Sequence, residues 1–299
     1  MKCVRIRSLC PEAKCRGKSH PLRVMPKAIL NGQLIDESEA KISIADKGYF
    51  FDFAVYSSLK VVQGKIFFPE YHVERLFESA RLIGLEHKFK QDEVGQWLGQ
   101  LAAADNLKDA LLRIVLVGDP DNKGGEKLFI FSVGGLTFYP DKFYKQGVKV
   151  ITYQGERRVP QSKTKDLLMS FMAYREAKRQ DALDAILVDR HGNILEGTRT
   201  NFFAIKNKTI FTPPADKILG GIARKIILEV ATNYFEIKEA DITLKGIKDF
   251  DEIFISSTSM NVMPVRQIDN IIFETNFEKT RLVGKLFKEF YDREVFGKK

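Results

Sequence analysis

The chain has 299 residues, 44% of them hydrophobic and 29% charged, which is the make-up of a globular protein with enough material for two domains. No uninterrupted apolar run approaches the length of a membrane span, so a transmembrane helix is excluded and a cytoplasmic protein is expected. The net charge of +9 is not a nucleic-acid signature once it is located: residues 1–24 hold seven Lys and Arg against Glu12, or +6 of the +9.

That basic stretch also carries every cysteine, Cys3, Cys10 and Cys15, so the body is expected to have no disulfide framework. Cys10, Cys15 and His20 fit no zinc spacing, and no metal is expected. No apolar segment follows the basic residues, which argues against a secretory signal. Residues 1–24 read as a disordered leader, with translation expected to start at Met25.

Ala28–Ile35, with Asn31-Gly32 between apolar runs, predicts a hairpin. Ile42–Gly48 leads into the aromatic run Tyr49–Tyr56. Val55–Phe68 then predicts a strand, a Gln63-Gly64 turn and a second strand. Pro69 opens a helix to Gly84, with Val73, Leu76, Phe77, Ala80 and Ile83 on its apolar side and Arg75 off that stripe. A second helix is predicted over 92–104, followed by strands at Leu111–Gly118 and Leu128–Phe131. Residues 146–160 are expected to connect an N-terminal α/β domain (25–145) to a C-terminal domain (161–299), although Val148–Thr152 within them reads as a strand itself.

The second half holds the residues with the most chemistry. Lys163 follows a polar loop and precedes a helical run in which Leu167, Leu168, Phe171, Met172 and Ala173 recur at helical spacing. Asp184–Asp189 predicts a strand, Arg190–Asn193 a tight turn and Thr200–Ile205 the return strand, with Glu196 in the bend between them. A lysine amine near a carboxylate suits a carbonyl cofactor whose pyridine nitrogen must stay protonated, but surface Lys and Glu are abundant and the pair is weak by itself. Gly220-Gly221 then leads into an amphipathic helix over 222–235, a start whose free N–H groups suit a phosphate. Glu252–Ser259 predicts a strand running into a hydroxyl-rich loop, and a last helix spans 276–295.

The order of these pieces resembles the class IV (fold type IV) pyridoxal 5'-phosphate (PLP)-dependent aminotransferases, a family of branched-chain aminotransferases, D-amino acid aminotransferases and aminodeoxychorismate lyase. The resemblance spans about residues 28–287. It is carried by Lys163, Arg175-Glu-Ala177, Asp184–Asp189, Gly192–Gly197, Asn201-Phe-Phe203, Thr212-Pro-Pro214, Leu219–Arg224, Asp251–Phe254, Ser257-Thr258 and Pro264-Val265. It implies an α/β (α+β, two-domain) fold with a small N-terminal α/β domain and a larger C-terminal PLP-binding domain built on a barrel-like sheet. It also implies a homodimer. By position Lys163 is implied to hold PLP as a Schiff base and to act as the catalytic base; Lys163, not Lys165, lies thirteen residues before Glu176. Glu196 is implied to face the pyridine nitrogen. Arg75, the amides of Ile222 and Ala223, and Thr258 are implied to hold the phosphate, with Tyr56 and Arg113 on the substrate side.

Some positions depart from the family pattern. Ala223 stands in place of a threonine and loses a hydroxyl to the phosphate. Asp52-Phe-Ala54 replaces a Gly-x-Gly, Leu167 replaces a tyrosine of branched-chain enzymes, and Asn261-Val-Met-Pro-Val265 is lyase-like. Arg113 and the following Val117-Gly-Asp119 resemble branched-chain enzymes, whereas Tyr56 is the D-enzyme choice. The reaction implied is amino transfer between a branched-chain or other hydrophobic L-amino acid and a 2-oxo acid such as 2-oxoglutarate, with Arg113 in an otherwise apolar pocket. D-amino acid transamination and aminodeoxychorismate lysis are alternatives on the same fold. Non-catalytic PLP binding and nucleic-acid binding are alternatives of another class, although neither nucleic acid nor membrane is an expected partner.

Overall fold

The computed structural model describes residues 26–273 and 276–297; the basic leader, its cysteines and Met25 lie outside the described residues. Asn31 and Gly32 take positive φ values of 50° and 87° and fold β1 (Lys27–Leu30) antiparallel onto β2 (Gln33–Asp36), with Leu30 opposite Gln33. After α1 (Lys47–Phe50) come β3 (Ala54–Val62), the Gln63-Gly64 turn and β4 (Lys65–Ile66). Helices α2 (Pro69–Leu82) and α3 (Gln91–Ala104) follow, then β5 (Ala110–Val117) and β6 (Lys127–Ser132). The sheet order is β2-β1-β6-β5-β3-β4. Strand alternation sends Val55, Leu59, Leu112 and Ile114 into one core with Val73, Leu76, Ala80, Leu98 and Leu101 of the two helices. The same alternation leaves Tyr56, Ser58 and Arg113 on the opposite face.

The second layer begins with α4 (Asp141–Gln146) and β7 (Val148–Gln154). Next come α5 (Leu168–Arg179), β8 (Asp184–Val188), β9 (Asn193–Gly197), β10 (Asn201–Lys206) and β11 (Thr209–Thr212). The chain finishes with α6 (Ile222–Ala231), β12 (Glu236–Glu239), β13 (Ile242–Thr243), β14 (Glu252–Ser257), β15 (Asn261–Ile268), β16 (Ile271–Ile272) and α7 (Glu278–Phe296). Six of these strands, in the order β9-β10-β14-β15-β7-β8, close on themselves where Asn201 pairs with Glu196. This is the barrel-like sheet that the resemblance implies. Because β7 lies within 146–160, the strand-free passage between the two sheets is residues 133–147.

Three local expectations are corrected. Glu196 is not in a bend: the hairpin out of β8 returns as β9, of which Glu196 is part, and the bend falls at 198–200. The cause is a turn closed tightly by Asp189, whose carboxylate accepts the His191 and Asn193 amides at 2.8 Å, so pairing restarts at Ile194 opposite Val188. On α5 the apolar residues Leu168, Phe171 and Met172 face solvent, while Ser170, Ala173 and Ala177 are buried. Small side chains on that face let the helix sit close against β8. Helix α6 also stops at Ala231, and a turn carries Phe235 back into the same core.

Among the described residues no helix is long and apolar enough to cross a membrane, and no His, Cys, Asp or Glu cluster could hold a metal ion. The barrel and the last two long helices share a core in which Phe203 and Phe254 are fully buried and stacked, ring centres 4.6 Å apart and planes 4° from parallel. Phe203→Ala is expected to cost about 3–5 kcal/mol of stability, read from the shift of the urea midpoint at unchanged slope.

Candidate active site

Strand β4 covers only Val61 and Val62 of β3, so the first residues of β3 lie at an open sheet edge. The segment bearing Lys163 fills that edge. Tyr56 N donates to Lys163 O at 3.0 Å, Lys165 N donates to Ala54 O at 2.9 Å, and Thr164 lies opposite Val55. Helix α2 holds it from the other side, where Ser162 Oγ donates to Ser79 O at 2.8 Å and Ser79 Oγ accepts Lys163 N at 3.0 Å. Lys163 Nζ stands 4.7 Å from the centre of the Tyr56 ring. Desolvation, reinforced by the charges of Arg75 and Arg157, holds this amine well below the ordinary lysine range. Lys165 turns elsewhere, to Asp52 at 3.3 Å and the Tyr49 ring.

Glu196, at the closing seam of the barrel, is buried. One carboxylate oxygen lies 3.3 Å from Arg157 Nη1 and the other accepts Leu219 N at 3.2 Å. Burial pushes its carboxyl up, and Arg157 acts against that push. Arg157 is itself fixed by donating to the carbonyls of Pro160 and Ser162. Sequence reasoning missed it, because only the fold shows that Glu196 is buried and so needs a cation.

Arg75 Nη2 donates to Ser57 Oγ at 2.9 Å, and Ser57 Oγ lies 2.9 Å from His72 Nδ1. Ser57 and His72 are buried, and burial together with the Arg75 charge keeps His72 neutral. Arg75 can only donate, so Ser57 Oγ accepts from it, and the same hydroxyl ties the guanidinium to the neutral imidazole. Arg75 Nε and Ser256 Oγ are buried with no protein partner, and burial lowers Arg75 to about 10. Helix α6 starts in the same place from Gly221, with no side-chain cap. A Cβ at Gly221 would stand 1.9 Å from Asn201 Oδ1, so only glycine lets the helix start so close to β10. Unpartnered donors on Arg75 and Ser256 and an uncapped helix N-terminus fit a phosphate.

All eight residues singled out in the sequence line one pocket of about 340 Å³. Arg113 comes into it from β5, opposite Ser58, its Nε 3.5 Å from Ser58 Oγ and its guanidinium 5.7 Å from the Tyr56 ring centre. Among the described residues no carboxylate lies within ion-pair distance of it. The lining around Arg113 is mixed, not apolar: Ser58 comes from β3, and the 133–147 passage contributes Thr137 and Tyr139.

Residues 54–268 match the family model of amino-transferase class IV. The chain belongs to that family. It is 29% identical over 280 residues to a putative branched-chain-amino-acid aminotransferase of Methanocaldococcus jannaschii, covering 89% of this chain and 96% of the relative. It is 32% identical over 257 residues to a D-alanine aminotransferase of Listeria monocytogenes, covering 82% and 88%. In fold it is similar to the Escherichia coli branched-chain amino acid aminotransferase, with a TM-score of 0.83 at 23% identity over 91% of this chain and 96% of that one. Class IV aminotransferases depend on PLP, and the donors assembled here fit it.

Lys163→Ala should lose the borohydride-reducible cofactor linkage while Lys165→Ala keeps it, as the masses of the reduced proteins will show. Ser57→Ala leaves the Arg75 and His72 nitrogens short of a buried partner and should weaken cofactor binding roughly tenfold, measured by titrating apoprotein.

Proposed function

We propose that the chain transfers amino groups between a branched-chain or other hydrophobic L-amino acid and a 2-oxo acid such as 2-oxoglutarate, with PLP as cofactor and as a homodimer. The observation that carries this reading is the Lys163 amine, kept neutral in the same pocket as the buried Glu196 carboxylate. PLP, when bound, supplies the carbonyl for capture of the amine and the electron-withdrawing ring. A neutral Lys163 Nζ is the group able to take the proton from the substrate Cα and deliver it again across the same face. Glu196, whose charged form Arg157 and the Leu219 amide favour against the cost of burial, would accept the pyridine N–H. Arg75, the Ile222 and Ala223 amides and Thr258 would hold the phosphate, which leaves Lys163 free to move the proton. Arg113, with no carboxylate partner among the described residues, receives the carboxylate of the substrate.

The name of the archaeal relative supports the branched-chain reading, as does the spacing of Arg113 to Val117-Gly-Asp119. The homodimer has support in exposed apolar groups: Phe50 and Phe51 are 75% and 66% exposed, and Leu168 and Phe171 are 69% and 58% exposed. D-amino acid transamination is a second reading, favoured by Tyr56 and the polar lining at Ser58 and Thr137.

Single-turnover bleaching of the bound cofactor should be faster with L-leucine than with D-alanine. Arg113→Met should raise KM for the amino acid and the 2-oxo acid together, at a cost of about 2–5 kcal/mol in kcat/KM. If D-alanine outruns L-leucine, the branched-chain assignment gives way to the D-amino acid one.

A further inference from the structure

One buried cation has no part in that scheme. Lys60, on β3 two residues beyond Ser58, is only 7% exposed. Its Nζ donates to Asn261 Oδ1 at 2.9 Å and lies 4.3 Å and 5.2 Å from the ring centres of Tyr291 and Phe67. The titratable groups facing it are His72 from α2 and Tyr291 from α7, both neutral; α6 brings only apolar side chains and β15 the Asn261 amide. Among the described residues no carboxylate lies within ion-pair distance of this ammonium, and desolvation alone lowers it to about 7. A buried ammonium opposite one amide and two rings is costly unless an anion shares its surroundings.

The surroundings show where that anion belongs. Lys60 opens on a cavity of about 20 Å³, large enough for one water, whose other walls include Ile222, Ala223 and Thr258. These three residues also line the phosphate end of the main pocket. Ala223 and Thr258 therefore have the phosphate site on one side and the Lys60 cavity on the other. Ala223 is where a threonine hydroxyl is missing, and Asn261, which holds the ammonium from a left-handed φ of 57°, is a second departure from the family pattern. Two sequence departures that looked unrelated meet at one side chain.

We propose that Lys60 is a second cation of the phosphate site, acting across Ala223 and Thr258 in place of the hydroxyl missing at 223, and that phosphate binding fixes it in the protonated form. The proposal rests on the reading of Arg75 and the α6 N-terminus as the phosphate site. A dianion in that site favours the charged lysine, so above neutral pH a phosphorylated ligand brings a proton in with it.

The test uses pyridoxamine 5'-phosphate and pyridoxamine, which lack the aldehyde and leave the Lys163 amine unreacted. Both are titrated calorimetrically into the apoprotein at pH 8, in buffers of different ionisation enthalpy. Lys60→Met should bind the phosphorylated ligand about tenfold more weakly, the loss of one charge-assisted contact, and bind pyridoxamine as wild type does. The extra proton taken up with the phosphate in wild type should vanish in Lys60→Met, and adding Ala223→Thr should recover most of the affinity without the proton. Equal affinity in Lys60→Met, equal losses for both ligands, or a retained proton overturns the proposal. Should the variant not fold, the absence of extra proton uptake in wild type overturns it just as well. Arg75→Met separates the two claims: if it leaves the preference for the phosphorylated ligand intact, the phosphate-site reading itself fails. If Arg75→Met abolishes the preference and Lys60→Met does not, only the role of Lys60 falls.

Discussion

Five basic side chains, Arg75, Arg113, Arg157, Lys163 and Arg199, line one pocket against a single carboxylate, Glu196. In a partly desolvated site that imbalance is repulsive, and the side chains answer it in different ways. Arg157 is spent on Glu196, and Lys163 gives up its proton readily. Arg75 leans on a neutral Ser57–His72 pair, which can accept a hydrogen bond but offers no countercharge. The site is therefore short of negative charge until an anionic cofactor and an anionic substrate enter it. Ligands that bind only the folded protein stabilise it by mass action, so the same imbalance that makes the apoprotein costly makes the loaded form robust.

Holding such a cluster requires backbone that cannot relax, and the fold supplies it at two seams. One is the open edge of β3, closed by residues 163–165. The other is the Glu196–Asn201 pairing that closes the barrel. Beside the second seam, the buried Asp184 carboxylate accepts Thr198 Oγ1 at 2.5 Å and Thr200 Oγ1 at 2.9 Å, which fixes the bend between the seam strands. Gly197 is required there because a Cβ would stand 2.0 Å from Thr200 Oγ1. Lys163 and Glu196 are thus set by main-chain pairing, with little left to side-chain choice.

This division explains what could be read from the residues. The Asn31-Gly32 hairpin, the Pro69 helix and the Gly221 helix start were legible because each depends on local chemistry: positive φ, a fixed φ at a first turn, an uncapped N-terminus. Strand β9 was not, since Asn193-Ile-Leu-Glu-Gly197 has little strand propensity and is extended only by its neighbours. Helix α5 misled for the opposite reason: its large apolar residues mark the face away from the sheet, while alanines make the close contact. Arg157, Ser57, His72 and Lys60 gave no signal, because a polar side chain announces its partner only after the chain has brought the two together.

The two ends of the pocket are built to different standards. The cofactor end rests on ladder pairing, a helix start and short hydrogen bonds. The substrate end rests on Arg113 reaching Ser58 Oγ at 3.5 Å, the strand-free 133–147 passage, and Arg199 stacked 4.4 Å over Tyr174 at the mouth. These contacts are long and partly exposed. On the proposed reading, replacing one of them would change what the pocket accepts without disturbing how it holds phosphate. Relatives named for branched-chain amino acids and for D-alanine match this chain at similar identity, 29% and 32%. On the proposed reading that asymmetry accounts for it: substrate choice is left to a few side chains at the end of the pocket away from the phosphate donors.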